Sequence, residues 1–175
     1  QVRNGVNIKK TQLVKGRQEV IKDQNDAKKY QIESLMRHTN TMKSQKNNQM
    51  KMNKELENAV LLGDLSLIKS LIKGGCVVDG IDKYGRTVMY DAVVKGLQDV
   101  VLELCLAKAN VNNQDNNGKT PLHFASIYNQ LEIAKTLIQY NADVNLKDEN
   151  GNTPIFDAVF NSKGNPDIIL LLKKN

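Results

Sequence analysis

From about Lys54 onward the apolar positions fall into two short helical stripes per cycle, and the cycle repeats every 33 residues. In its clearest copy, Ile133, Ala134, Leu137 and Ile138 share one face of a helix predicted over Leu131–Gln139. A shorter helix is predicted just before it, from Pro121 to about Tyr128, with Ala125 small enough for neighbouring helices to approach. The same step links Ala59, Ala92, Ala125 and Ala158. It also links Leu71, Leu104 and Leu137, then Val78, Val111 and Val144, and Gly63, Gly96 and Asn129. Coincidence at so many positions predicts a solenoid of stacked helix pairs, because a single pair cannot bury its own apolar face.

The polar residues between the stripes explain how each pair begins. Gly85, Gly118 and Gly151 recur at the turn, where a positive φ is needed. Thr87, Thr120 and Thr153 follow at the N-cap position, able to accept a hydrogen bond from a free amide of the first turn. Pro121 and Pro154 then stand at the first helical position, where no N–H is required.

Residues 1–52 follow another rule. They carry 12 Lys and Arg against 4 acidic residues, whereas residues 53–175 carry 13 against 15, so the overall charge of +6 resides in the first part. Apolar residues are sparse there, Gly5 and Gly16 punctuate the segment, and Ile32, Leu35 and Met36 fit one helical stripe. These features predict a basic, mostly helical N-terminal arm over 1–52 ahead of a repeat domain over 53–175. Alone, the arm buries too little to offset its ordering entropy, so it is expected to lie on the repeats or on another chain.

"DNNGKTPLHFASIYNQLEIAKTLIQYNADVN" at 115–145 closely resembles an ankyrin repeat, as does "DENGNTPIFDAV" at 148–159. The copy beginning at 82 is weaker, with Val88 for the usual Pro and Tyr90 for the usual His, and the one at 54–79 lacks its leading turn. The last copy carries about two extra residues near Ser162–Pro166. The resemblance implies an all-α fold: an ankyrin-repeat solenoid of paired antiparallel helices with short β-turn or hairpin tips, in units of about 54–81, 82–114, 115–147 and 148–175. Apolar Ile168–Leu172 would leave the last unit's face bare, and the chain opens at Gln1, so a fragment of a longer or processed protein is expected.

Candidate chemistry fares poorly. Gly118-Lys119-Thr120 has Asn113 where a phosphate-binding loop needs its first Gly. His123 occupies a place where ankyrin repeats commonly carry a His that braces neighbouring units, and His38 has no metal-ligand neighbour. Asp91 and Asp157 are expected to be half-exposed surface residues. Cys76 and Cys105 lack zinc-site spacing and read as small buried hydrophobes in a reducing compartment. The expectation is therefore no enzyme, no cofactor and no metal, with Gly85, Thr87, Gly118, Thr120, Pro121, His123, Gly151, Thr153 and Pro154 structural.

Ankyrin repeats generally bind proteins through turn tips and first helices, along a concave face. Carried over, this implies partner contacts at Lys83, Tyr84, Arg86, Asn116, Asn117, Lys119, Glu149, Asn150 and Asn152 on the tips. Ile127, Tyr128 and Phe160 extend the line on the helices, and Asn116, Asn117 and Lys119 are expected to be left free by the fold. The expected function is a non-catalytic scaffold or adaptor with protein partners in a larger assembly, a cytoskeletal one among the candidates. A regulatory segment of a larger enzyme or channel is the alternative. In the arm, Lys9, Lys10, Lys15, Arg17, Lys22, Lys28 and Lys29 could contact nucleic acid or another polyanion, although Tyr30 is the arm's one aromatic and stacking readout is unsupported. No membrane span is expected, and the location is intracellular: cytoplasmic, cytoskeletal or nuclear.

Overall fold

A computed structural model describes the backbone of residues 2–161 and 166–175, and the side chains of 28, 29, 31–161 and 166–175. Ser162–Asn165, where most of the expected insertion falls, lie outside the described residues, as do the side chains of Lys9, Lys10, Lys15, Arg17 and Lys22. The chain divides into two compact bodies, Gln1–Asn48 and Gln49–Asn175.

The described residues of the first body are all helical, part of α1 (Val2–Leu62), which runs unbroken through Gly5 and Gly16. Lys, Gln, Glu, Met and Arg are favourable helix residues and no Pro interrupts them. Glu33 and Arg37 add an i,i+4 ion pair at 3.7 Å, exposed and worth a few tenths of a kcal/mol.

The second body begins with the end of α1, whose Leu56, Ala59 and Val60 are fully buried in the core. After it come α2 (Leu65–Lys73), α3 (Val88–Val94), α4 (Gln98–Leu106), α5 (Pro121–Ile127), α6 (Leu131–Gln139), α7 (Pro154–Asn161) and α8 (Asp167–Lys174). Each first helix pairs with the second helix that follows it: α3 with α4, α5 with α6, α7 with α8. First helices α3, α5 and α7 stack in order, and so do second helices α2, α4, α6 and α8, giving two helical layers. No strand occurs among the described residues, so the tips are turns.

The core follows the 33-residue pattern. Ala92, Ala125 and Ala158 are wholly buried between first helices, while Leu71, Leu104 and Leu137 line the second-helix layer. Three further positions share the period and adopt positive φ: Gly75, Lys108 and Asn141 end the second helices at 84°, 62° and 68°. Ile168 and Leu172 of α8 are buried, so the expected bare run narrows to Leu170, with Ile169 and Leu171 partly covered.

Candidate protein-recognition surface

Each tip is organised by one aspartate. Asp82 Oδ1 accepts from the backbone N–H of Tyr84 and Arg86 at 2.8 and 2.9 Å. Asp115 Oδ1 does the same for Asn117 and Lys119, and Asp148 Oδ1 for Asn150 and Asn152. The turn closes as the aspartate N–H donates to the carbonyl of the residue four places on, and the glycine N–H donates back to the aspartate carbonyl. Successive tips are then clasped by equivalent backbone bonds, Asn116 N–H to Tyr84 O and Glu149 N–H to Asn117 O, both 2.9 Å. Each tip is therefore held by its neighbour, and its outer side chains project from fixed backbone.

Thr120 and His123 form a capping box at the start of α5. The Thr120 N–H donates to His123 Nδ1 at 3.0 Å, which makes Nδ1 the acceptor and places the ring proton on Nε2. That Nε2–H donates to the carbonyl of Asn152 in the following repeat, N to O 3.1 Å. His123 is completely buried. Burial pushes its pKa below the ordinary value, against the opposing pull of the Asn152 carbonyl. A neutral imidazole thus ties one helix start to the next turn, with the Thr120 hydroxyl 2.8 Å from its Nδ1 as part of the same cap.

Lys119 departs from expectation. It was expected to be free, but its Nζ donates to Asp157 Oδ2 at 2.8 Å and lies 2.9 Å from Asp148 Oδ2, with about a fifth of the side chain exposed. Asp157, expected to be half-exposed, is buried by this contact. Burial disfavours the Lys119 charge, but the bonds to Asp157 and Asp148 outweigh it and hold the pKa above the ordinary lysine value. For Asp148, burial acts upward, yet Lys119 and the Asn152 and Asn150 amides bring the net shift below the usual carboxylate value. One repeat earlier, Arg86 stands 3.9 Å from Asp115, the equivalent pair. There Phe124 takes the place of Asp157, stacks edge-on against Tyr90 at 4.6 Å, and Arg86 lies over the Tyr90 ring at 4.3 Å. The cleft lined by Arg86, Tyr90, Asn113, Asp115, Lys119 and Phe124 has about 10 Å³ of space, room for one water.

The remaining outward residues make a polar line with three aromatic members. Tyr84 is 48% exposed, Tyr128 49% and Phe160 80%. Lys83 and Arg86 both lie 4.8 Å from the Tyr84 ring. Lys83, Asn116, Asn117, Glu149 and Asn150 are exposed, whereas Arg86, Ile127 and Asn152 are half-buried. Asn116 is also not wholly free, since its Nδ2 donates to Lys83 O at 3.1 Å. Lys28 and Lys29 of the arm are exposed. Of the cysteines, Cys105 is buried, with its pKa pushed up to about 11 by burial, while Cys76 is half-buried. Among the described residues no group of His, Cys, Asp and Glu could hold a metal ion, and no helix is long and apolar enough to cross a membrane.

Sequence reasoning missed Asp82, Asp115 and Asp148 as the organisers of the tips. Their signal was the same 33-residue recurrence that exposed the glycines. Asn112 was missed too: it accepts from Asp143 N–H and donates to Asn141 O, and Asp79 accepts from Asn110 N–H at the equivalent place.

A family profile described as Ankyrin repeats (3 copies) matches residues 56–148 and 99–175. The chain belongs to the ankyrin-repeat family, whose members are generally protein–protein interaction modules. No match to a curated protein was found.

Proposed function

We propose that the chain is a non-catalytic protein-recognition module, a scaffold or adaptor within a larger assembly, with residues 53–175 as the recognition domain and 1–52 as an appended basic arm. The observation that carries this reading is the exposure of Tyr84, Tyr128 and Phe160 beside tips whose backbones are locked by neighbouring tips. Aromatic side chains surrounded by polar ones are favoured anchors at protein interfaces, because they bury large area at low entropic cost. Lys83, Glu149 and Asn150 would form the polar rim, together with Asn116, Asn117 and Asn152. Lys119 belongs to the framework in this reading, since engaging a partner would require breaking its two carboxylate contacts. The Proposed recognition surface is tested by changing Tyr84, Tyr128 and Phe160 together to Ala and comparing partner recovery on affinity capture with that of the parent chain. Recovery should fall while the melting temperature stays put, since all three side chains are exposed. Undiminished recovery from a folded variant would overturn it.

A further inference from the structure

The long helix carries an exposed apolar surface of its own. Ile32, Leu35, Met36 and Met42 are 54%, 67%, 62% and 56% exposed, unusually bare for large apolar side chains. Ile32, Leu35, Thr39 and Met42 follow one another at steps of three, four and three residues, the spacing of a coiled-coil seam, and Met36 borders it. Thr39 does not break the seam, because its hydroxyl is satisfied by the carbonyl of Leu35 at 2.6 Å and its methyl remains. Lys28 and Lys46 stand at the two ends of the same register, and Lys29 and Lys43 flank it; all four are exposed. Over residues 28–48 there are five basic side chains and one acid, Glu33, which is paired with Arg37.

The charges select the occupant. A second copy in parallel register would set Lys28 against Lys28 and Lys46 against Lys46, so like charges would meet across the seam. A lipid surface would favour aromatic residues at the boundary, and residues 28–48 contain a single one, Tyr30, while Asn and Gln dilute their polar face. An acidic amphipathic helix satisfies both features, with apolar side chains against Ile32–Met42 and carboxylates against the lysines. Methionines suit such a partner, since their flexible thioethers adapt to an irregular apolar ridge. We propose that the Ile32–Met42 seam is a docking site for an acidic amphipathic helix of a partner protein.

The test uses the full chain and two labelled synthetic peptides of about three heptads, with Leu at the seam positions and either Glu or Lys flanking them. The Glu peptide should bind with an affinity that weakens as salt rises, and the Lys peptide should not bind. Changing Leu35→Gln and Met42→Gln together should weaken Glu-peptide binding by at least about tenfold while leaving the melting of the repeats unchanged. Failure of the Glu peptide to bind, equal binding of both peptides, or indifference to the double substitution would each overturn the proposal. It would equally fall if the chain formed a dimer, or bound phosphatidylserine vesicles, through a contact abolished by the same substitutions.

Discussion

Lys119 Nζ and Asp157 Oδ2 lie 2.8 Å apart, joining the tip of one repeat to the first helix of the next. The bond spans 38 residues of sequence and is supported by Asp148, whose Oδ2 is 2.9 Å from the same ammonium. Both carboxylates are buried, so the lysine is their principal counter-charge. Lys119→Met should therefore cost about 3 kcal/mol, most of it from stranding the two acids. Changing Asp157→Leu as well should recover part of that loss, with a coupling of about 1–3 kcal/mol in a double-mutant cycle read by urea denaturation. Additive losses would show that the two residues do not act as a pair.

The pH dependence of stability follows from the signs of the individual pKa shifts. Asp148 titrates below its unfolded value, so its contribution is present above about pH 4 and is lost as pH falls through the folded pKa. Lys119 titrates above its unfolded value, so its contribution holds below about pH 10 and is lost as pH rises further. His123 is depressed by burial, so its contribution is lost as pH falls below about 6.5 toward the folded pKa. Asp91 works the other way on the acid side, because burial and neighbouring Asp82 raise its pKa. Burial also holds the Cys105 thiol at about 11, above its unfolded value, so its contribution is lost as pH rises past about 8.5. Thermal melts should therefore show a plateau only between about pH 7 and 8. The step near pH 6.5 should vanish in His123→Gln; its persistence there would assign it to another group.

Two glycines with nearly the same backbone should respond differently to alanine. Gly118 has φ +75° and Gly151 +80°, so both substitutions place a side chain in the left-handed region, at about 1 kcal/mol. A Cβ on Gly151 meets nothing within 4 Å, whereas one on Gly118 would stand 2.9 Å from Glu149 N and 3.0 Å from Asp148 Cα. Gly118→Ala should therefore cost at least about 1 kcal/mol more than Gly151→Ala. Equal losses in denaturant titrations would mean that the clasp between tips yields without strain.

Thr120, Pro121 and His123 were legible in the sequence because a cap, a first-turn proline and an N3 side chain act within four residues of one another. Leu131–Gln139 was legible because its buried face repeats at helical spacing. Lys119 and Asp157 were not, since their meeting depends on how two repeats stack, and an exposed-looking tip lysine carries no local sign of its partner. The unbroken length of α1 was also hidden: sparse apolar residues give little periodicity in the sequence, so Gly5 and Gly16 read as punctuation, whereas the helix runs through both. The recognition surface lies between these cases. Tip positions follow from the repeat, but only stacking shows which tip side chains remain outside.

The last prediction concerns strain that the repeat pattern itself reveals. Gly75, Lys108 and Asn141 are equivalent positions that end second helices with positive φ, and only Lys108, at 62°, does so with a long side chain. Lys108 is exposed, so the strain of its left-handed backbone has no compensating burial. Lys108→Gly removes that strain, although the glycine adds freedom to the unfolded chain, and the net gain should be about 0.5–1 kcal/mol. The reverse change, Gly75→Lys, should lose a similar amount, since a Cβ there meets nothing within 4 Å and the cost is conformational. Denaturant midpoints of the two variants should move in opposite directions. If Lys108→Gly lowers the midpoint, the lysine is held by an interaction that outweighs its backbone strain, and the equivalence of the three helix ends does not extend to their energetics.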